Sequence, residues 1–557
     1  MSDPALQIVK NYHQQTKHRP GAYARSAGYM DWANQPLPYR LYQGSEKINL
    51  PLNPKVNASS AVNLFQLSTQ AAEIISLDSI ARLLQNSLGL SAWKSYNGTE
   101  WALRINPSSG NLHPTECYLL LPDLLPASSP EHESTLGTKS EHKKAYSVHY
   151  NPYINSLEKR ALLSDSDADF LNKKMGFAVV LSSIAWREAW KYGERAYRYC
   201  QHDLGHALAA LTIAANLNGW KIELLDGIPN KKIASILGIN QSTYAEPEKE
   251  YVDCICWVSS ESSDLEEVTA WLNNFPNLIY QDQANKLSQS HQDWPIIDDV
   301  FNASHQQNFC FIKENRSSLS LLPDHAVDAS LLDLSAEKII QQRRSAQSFD
   351  AIASVMSVES FISQLQKTLP EQSISFSVLP QPAQVHLVIF VHNVQGLASG
   401  LYIWVRNQRH LSKLKSSMHA NFEWSQSVNS QPLYLLKKGD YRKIAKALSC
   451  DQDIAAESAY SLGMLARFED NLAHSASQYP VLFWETGLIG QVLYLAAECD
   501  DLRATGIGCF FDDLVHDLLG LKDLQWQSLY HFTIGKQIDD TRISTKPAYF
   551  HLQALAE

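Results

Sequence analysis

The 557-residue chain has no Cys-x-x-Cys pair. Its 8 cysteines are scattered, and Cys254 and Cys256, on one face of an apolar strand, read as buried thiols. A reducing, cytoplasmic setting is the simplest expectation. Basic excess is also missing: 47 Lys and Arg stand against 58 Asp and Glu, a net charge of -11. That argues against a nucleic-acid or anionic-membrane partner, which would call for a basic patch. Met1 to Lys10 lacks the apolar core of a signal peptide. No apolar run reaches the roughly 18 residues a membrane span requires. P-loop, nucleophile-elbow and papain-like cysteine signatures are absent, and Gly506-Ile507-Gly508 lacks the third glycine of a dinucleotide fingerprint. Apolar residues at 45% and charged residues at 19% are ordinary for a globular protein.

What the chain does contain is itself twice over. Its length predicts two or three domains. Strand Ala145-Tyr146-Ser147-Val148-His149-Tyr150 has a counterpart in Gly400-Leu401-Tyr402-Ile403-Trp404-Val405. Small-residue apolar helices follow at about 204–217 and 487–499, both apolar nearly all round and so expected buried; Asn218-Gly219 marks the first one's end. Each copy closes with a strand, 252–258 and 529–534. The organisation expected is an arm at 1–50, a first half at 51–260, a crossover at 261–330 and a second half at 331–557. The stretch 126–144 reads as a surface loop.

Chemistry concentrates at two distant segments. Pro107-Ser108-Ser109-Gly110-Asn111 runs into the apolar strand Cys117 to Leu121, placing backbone N–H groups and small polar side chains at a sheet's mouth. That suits the edge of a flat heteroaromatic, although the same residues make ordinary turns. Arg343-Arg344-Ser345-Ala346-Gln347 offers two guanidinium forks and a hydroxyl, a phosphate clamp if it is not a solvated helix face. Copy 2 has Gln381-Pro382-Ala383-Gln384 where copy 1 has the turn, and copy 1 has no Arg-Arg-Ser segment. Only one pairing therefore survives, the turn of copy 1 with the clamp of copy 2. His202 and His206, four apart, could share a metal, but Gly205 and the lack of a third ligand favour a helix N-terminus with Asp203 near its cap. Lys191-Tyr192, after the strand 177–181, reads as a loop or as a tuned acid–base pair.

Pro107 to Asn111 together with Arg343 and Ser345 resembles the nitroreductase-fold flavoproteins, and more closely their SagB/ThcOx-type dehydrogenase branch. The segment Lys191 to Tyr199, Asp203-Leu204-Gly205-His206, Ala504 to Gly508 and Phe511-Asp512-Asp513 extend the resemblance over most of the chain. Gln347, at the motif's third basic position, departs from it. The resemblance implies an α+β fold of two tandem nitroreductase-like domains, each an antiparallel-dominated sheet flanked by helices, forming an internal pseudo-dimer, with further oligomerisation open. It implies an FMN-dependent oxidoreductase with one flavin between the halves, hydride transfer at flavin N5 and a ping-pong course, NAD(P)H being a candidate reductant. It also implies Gly506, Ile507 and Gly508 passing over the ring, Arg542 as a second phosphate ligand, and Lys191 and Tyr192 as catalytic groups. The substrate would be a small molecule or peptide: an azoline, a nitroaromatic, a quinone or another metabolite. The alternative reading is a flavin-free scaffold in a biosynthetic complex, with a zinc hydrolase third.

Overall fold

Two seven-stranded antiparallel sheets carry the fold, and they are wound in the same order. In the first, Ser156–Leu162, Ala145–Asn151, Thr115–Pro122, Gly176–Ile184, Glu250–Ser259 and Lys221–Leu224 lie side by side. In the second, Leu433–Lys438, Gly400–Trp404, Val385–Val391, Tyr460–Arg467, Trp526–Gly535 and Arg503–Ile507 repeat that sequence of neighbours. Glu46–Asn49 extends the first edge and Ser425–Gln426 the second. The chain is thus an α+β tandem whose halves form an internal pseudo-dimer. It is described here from a computed structural model covering residues 3–553 apart from 56, 125–143, 243, 281, 306–310, 313–330 and 429. Nearly all of the loop expected at 126–144, and the later part of the crossover, lie outside the described residues.

The halves meet along two long helices, Ala196–Leu217 and Gln478–Cys499. Both start earlier than the apolar pattern predicts. Their first two turns carry Arg198, Gln201, Asp203 and Glu485, all buried and hydrogen-bonded to distant segments. The second helix is long and apolar enough, by length and composition, to cross a membrane, contrary to the expectation that no segment is. The qualifying stretch is buried entirely inside the protein. The helices pack backbone to backbone at Gly205 and Gly487.

The chain ends lash the halves together. The arm's helix Pro4–Gln15 is capped by Asp3, and the residues after it reach the second half through Lys17 to Asp513 and His18 N–H to Asp512. Near the other end, Ser544–Lys546 pairs with Leu90–Tyr96 of the first half.

A buried charge network braces the first half. His149 bonds Glu158 Oε2 through Nδ1 and Glu116 Oε2 through Nε2, each at 2.9 Å. Arg187 Nη1 donates to Glu116 at 2.6 Å and to the carbonyl of His113 at 2.7 Å, which fixes the end of the Ser-Ser-Gly-Asn turn. Burial opposes the imidazolium, but the two carboxylates outweigh it and hold its pKa up to about 9. A histidine raised above its unfolded value, about 6.5, contributes stability that is complete below that pH and lost as pH rises through about 9, on the order of 3 kcal/mol. Urea unfolding should therefore show stability falling between about pH 6.5 and 9.5 in the native protein, and more shallowly in His149→Gln. Equal slopes in the two proteins would remove His149 from the account.

Candidate functional site

Three left-handed residues in close succession shape the turn: Gly110 (φ 62), Asn111 (φ 60) and His113 (φ 53). Ser108 Oγ accepts the His113 N–H at 2.7 Å, and Asn111 Nδ2 donates to the carbonyl of Ala102 at 2.9 Å. Ser109 seats the turn on the first central helix, its N–H and Oγ both donating to Asp203 Oδ1, at 3.1 and 3.3 Å. Glycine at 110 is required twice. Its φ is positive, and a Cβ there would stand 2.7 Å from the Tyr192 hydroxyl and 3.2 Å from Lys191 Nζ.

The Arg-Arg-Ser segment arrives from the other half. It follows the helix Ala336–Gln342 and runs beside Arg503–Ile507, with Ala346 N–H donating to the carbonyl of Ala504. Arg343 is buried; its Nη2 donates to the carbonyls of Arg104 and Ile105, its guanidinium lies over the Tyr494 ring, and its Nε has no partner. Arg344 spends its N–H groups on the carbonyls of Gln341, Arg343 and Ser91. Ser345 Oγ meets Tyr494 Oη at 2.8 Å.

Turn and clamp line one cleft of about 710 Å³, whose walls also include the hairpin residues Trp101 and Leu103 and the segment around Ile538. Pro107, Ser108, Asn111, Arg343, Arg344, Ser345 and Gln347 all line it. Lys94, Arg104 and Arg503 add three cations, opposed among the described residues of the wall by Asp539 and Asp540. Burial first, and then the neighbouring guanidinium charges of Arg343 and Arg503, lower Arg344 to about 10. Burial and the charge of Arg344 likewise lower Lys94. Cations that crowd one another in this way suit an anionic ligand.

Beneath the turn lie two buried carboxyls, Glu188 and Asp203. Burial raises both, and the Asp203 charge raises Glu188 further while Lys191 opposes it. Asp203 accepts both Ser109 donors, whereas Glu188 accepts only Ser108 Oγ, at 3.4 Å on Oε1; the bond between the two carboxyls raises Glu188 and lowers Asp203, so the proton the pair retains belongs on Glu188. The second half settles the same position differently. Asp203 and Glu485 are each the eighth residue of their helix, and each accepts a backbone N–H from the turn before the equivalent strand, Ser109 in one case and Gln384 in the other. Glu485 is neutralised by the buried Arg406, which lies over Phe376. Asp203 has a protonated acid instead of a cation.

Several predicted residues fall elsewhere. Lys191 and Tyr192 end a helix, Ala185–Tyr192, rather than a loop, and they touch the turn at Gly110 without lining the cleft. Gly506, Ile507 and Gly508 are not on the cleft wall either. The Gly506 N–H donates to the Tyr494 hydroxyl, and Cβ atoms at 506 and 508 would run into Tyr530 and Tyr199. Their smallness serves packing against aromatic rings. Arg542 is exposed and held by Asp540 through two hydrogen bonds, of 2.9 and 2.7 Å. Asp203 sits inside its helix, not at a cap, and His202 and His206 turn toward Tyr530, one stacked on its ring and the other 3.3 Å from its hydroxyl. Sequence reasoning missed Lys94, Arg104, Arg503 and Glu188. Arg503 directly precedes a segment already singled out and Arg104 lies three residues before another, which was the available signal. Lys94 and Glu188 carry none.

Among solved structures, the chain is similar to a provisionally assigned nitroreductase from Anabaena variabilis, at 21% identity and a TM-score of 0.64, covering 95% of this chain and 99% of that one. That match shows the fold as nitroreductase-like across both halves. Another provisionally assigned nitroreductase, from Ralstonia eutropha, matches 36% of the chain (82% of its own) at 14% identity and a TM-score of 0.26. A chain of the Escherichia coli microcin synthetase McbBCD complex matches 47% (95% of its own) at 18% and 0.25. Scores this low carry no argument. No protein-family model matches the sequence, and no curated protein does.

Proposed function

We propose that this tandem nitroreductase-like chain is an FMN-dependent oxidoreductase holding one flavin between its halves. One observation carries the reading: residues of the turn 107–111 of the first half and of the clamp 343–347 of the second line a single cation-rich cleft. The fit is chemical. The cleft falls within the size range of small-molecule sites, roughly 300–1,000 Å³. Arg343 presents a buried, unpartnered N–H, which is what a phosphate oxygen satisfies. Pro107, Ser108 and Asn111 offer the hydrogen-bonding edge that a flavin ring needs. Bound there, FMN supplies the two-electron hydride chemistry, and the protein supplies position and electrostatics.

In this reading Arg343, Arg344 and Arg503, with Lys94, neutralise the phosphate. Gln347 lines the same wall as a neutral hydrogen-bonding group. Behind the turn, Glu188 holds a proton beside Asp203, and Lys191 and Tyr192 stand against Gly110. These four form a proton store one layer from the cleft, with Lys191 and Tyr192 its members next to the turn. Burial pushes the Tyr192 phenol well up, so it serves as a donor and not as a base. The substrate class proposed is an oxidisable or reducible small molecule, an azoline, nitroaromatic or quinone, with NAD(P)H as reductant where the substrate is the oxidant.

The test is flavin content measured beside turnover. Saturated protein should hold one FMN per chain, because the second half has Gln381-Pro382-Ala383-Gln384 in place of the turn and the first half has no Arg-Arg-Ser segment. Lys191→Ala and Tyr192→Phe should keep that stoichiometry and lose about 10²-fold or more in flavin-dependent turnover. Two tightly bound flavins, or none at saturating FMN, would overturn the reading; full activity in both variants would return the pair to a structural role.

A further inference from the structure

We infer that the substrate of this cleft carries a single carboxylate and that Arg104 holds it. The inference rests on the flavin reading above and narrows its substrate class. Arg104 is the last residue of the strand Thr99–Arg104, and it lines the cleft together with Trp101 and Leu103 of the same strand. Its side chain is buried, yet it forms no ion pair among the described residues. Its Nη1 and Nη2 donate to the carbonyls of Thr115 and Pro38, at 3.4 and 2.5 Å, and its buried Nε has no protein partner. The guanidinium lies 5.5 Å from the centre of the Tyr39 ring. Glu116 feels its charge but is already held by Arg187 and His149. A buried guanidinium with no carboxylate of its own is unfavourable, and a ligand anion offsets that.

The charges of the wall leave room for one such anion. Five cations line it: Lys94, Arg104, Arg343, Arg344 and Arg503. Arg503 is paired with Glu498, and Asp540 with Arg542. Among the described residues of the wall, the other four cations therefore face the carboxylate of Asp539. A phosphate monoester brings about two negative charges, which leaves about one positive charge unanswered. His113, also on the wall, adds nothing to the count. Burial first, and then the charges of Arg104, Arg187 and Arg343, keep its imidazole neutral. Arg104 is the cation of the five that the phosphate does not use in this reading.

A carboxylate matches what remains. It brings one charge, where a second phosphate would overfill the wall, and charge assistance favours it over a neutral acceptor at a guanidinium N–H. Trp101, Leu103, Ile538 and Ile543 line the same cleft and suit an apolar or aromatic body behind the acid group. The substrate class is therefore an apolar or aromatic monocarboxylate, with the azoline, nitroaromatic or quinone bearing the acid as a substituent.

Two probes that differ only at the acid, para-nitrobenzoate and para-nitrobenzamide, test it by calorimetric titration into the full FMN-loaded chain without reductant. The parent should bind the carboxylate about tenfold or more tighter than the amide. Arg104→Gln should erase that preference while keeping the parent's amide affinity and FMN content, and Arg104→Lys, which retains the charge, should keep part of it. Equal affinities in the parent, or an undiminished preference in Arg104→Gln, would overturn the proposal. Loss of FMN together with the preference would do so too, by making Arg104 a phosphate ligand. Amide affinity reports that the cleft is intact. A glutamine variant that does not fold leaves the decision to the parent and Arg104→Lys, whose preferences must then differ. Should the parent hold no FMN, the flavin reading would fall, and the same two probes in the FMN-free chain would still decide the role of Arg104.

Discussion

Alanine at Gly487 should lower the unfolding free energy by about 3 kcal/mol, the upper end of what overpacking costs. The added methyl would lie 2.4 Å from the carbonyl of His202, 2.6 Å from the Gly205 Cα and 2.7 Å from the His206 N. All three are backbone atoms of the facing helix, so no side chain can swing away and the helices themselves must separate. Separation would stretch the bond from Trp484 Nε1 to Gln201, 2.7 Å, and unseat His202 from the Tyr530 ring. Gly205→Ala meets the same obstacle from the other side, 2.4 Å from the carbonyl of Trp484. The double variant should cost less than the sum of the singles, since one separation relieves both clashes. Denaturant midpoints of the three proteins decide it. A midpoint unmoved in Gly487→Ala would mean that the helices do not cross at these glycines.

Those glycines also show where the sequence was legible and where it was not. Each half's strands could be read because their apolar runs are short and bounded, as at Val385–Val391 and Gly176–Ile184. The pairing of turn with clamp was readable from the asymmetry between copies, since only one combination kept both motifs. The starts of the central helices were not, because Arg198 and Asp203 look like surface residues until their partners are known. Arg198 is paid for by Asp512, more than three hundred positions away, and Asp203 by the Ser109 turn and a protonated Glu188. No local pattern announces such bonds. Lys191 and Tyr192 were read as loop for a related reason: Gly193 (φ 54) ends their helix one residue later, and the strand before them runs straight into it. Gly506 and Gly508 were read through a cofactor, whereas the structure uses their missing side chains to admit Tyr530 and Tyr199. A glycine pair signals close approach without naming what approaches.

The other large effect expected is on the ligand. Under the proposed reading, Arg343→Ala should weaken FMN binding by roughly 10- to 150-fold, the equivalent of one charge-assisted hydrogen bond of about 1.5–3 kcal/mol. Three neighbouring arginines should not behave alike, and their order is the sharper test. Arg343 lines the cleft, and its buried Nε has no protein partner, so its loss removes a cation that the fold itself leaves incompletely paired. Arg344 has its Nη groups committed to three carbonyls, including that of Ser91 in the neighbouring hairpin. Arg344→Ala should therefore loosen the hairpin and cost less affinity. Arg542 is exposed, off the wall and held by Asp540, so Arg542→Ala should leave binding unchanged. Stability should barely move in Arg343→Ala. The variant gives up two bonds to the carbonyls of Arg104 and Ile105 but also a guanidinium whose burial lowers its own pKa, a sign that the charge is held there at a cost. Fluorescence titration with FMN, beside urea unfolding of the same samples, measures both quantities. If Arg542→Ala lost flavin while Arg343→Ala kept it, the anion site would lie at the chain's C-terminal segment and not at the clamp. If all three bound FMN as the parent does, the crowded cations of this cleft would be serving some other anion.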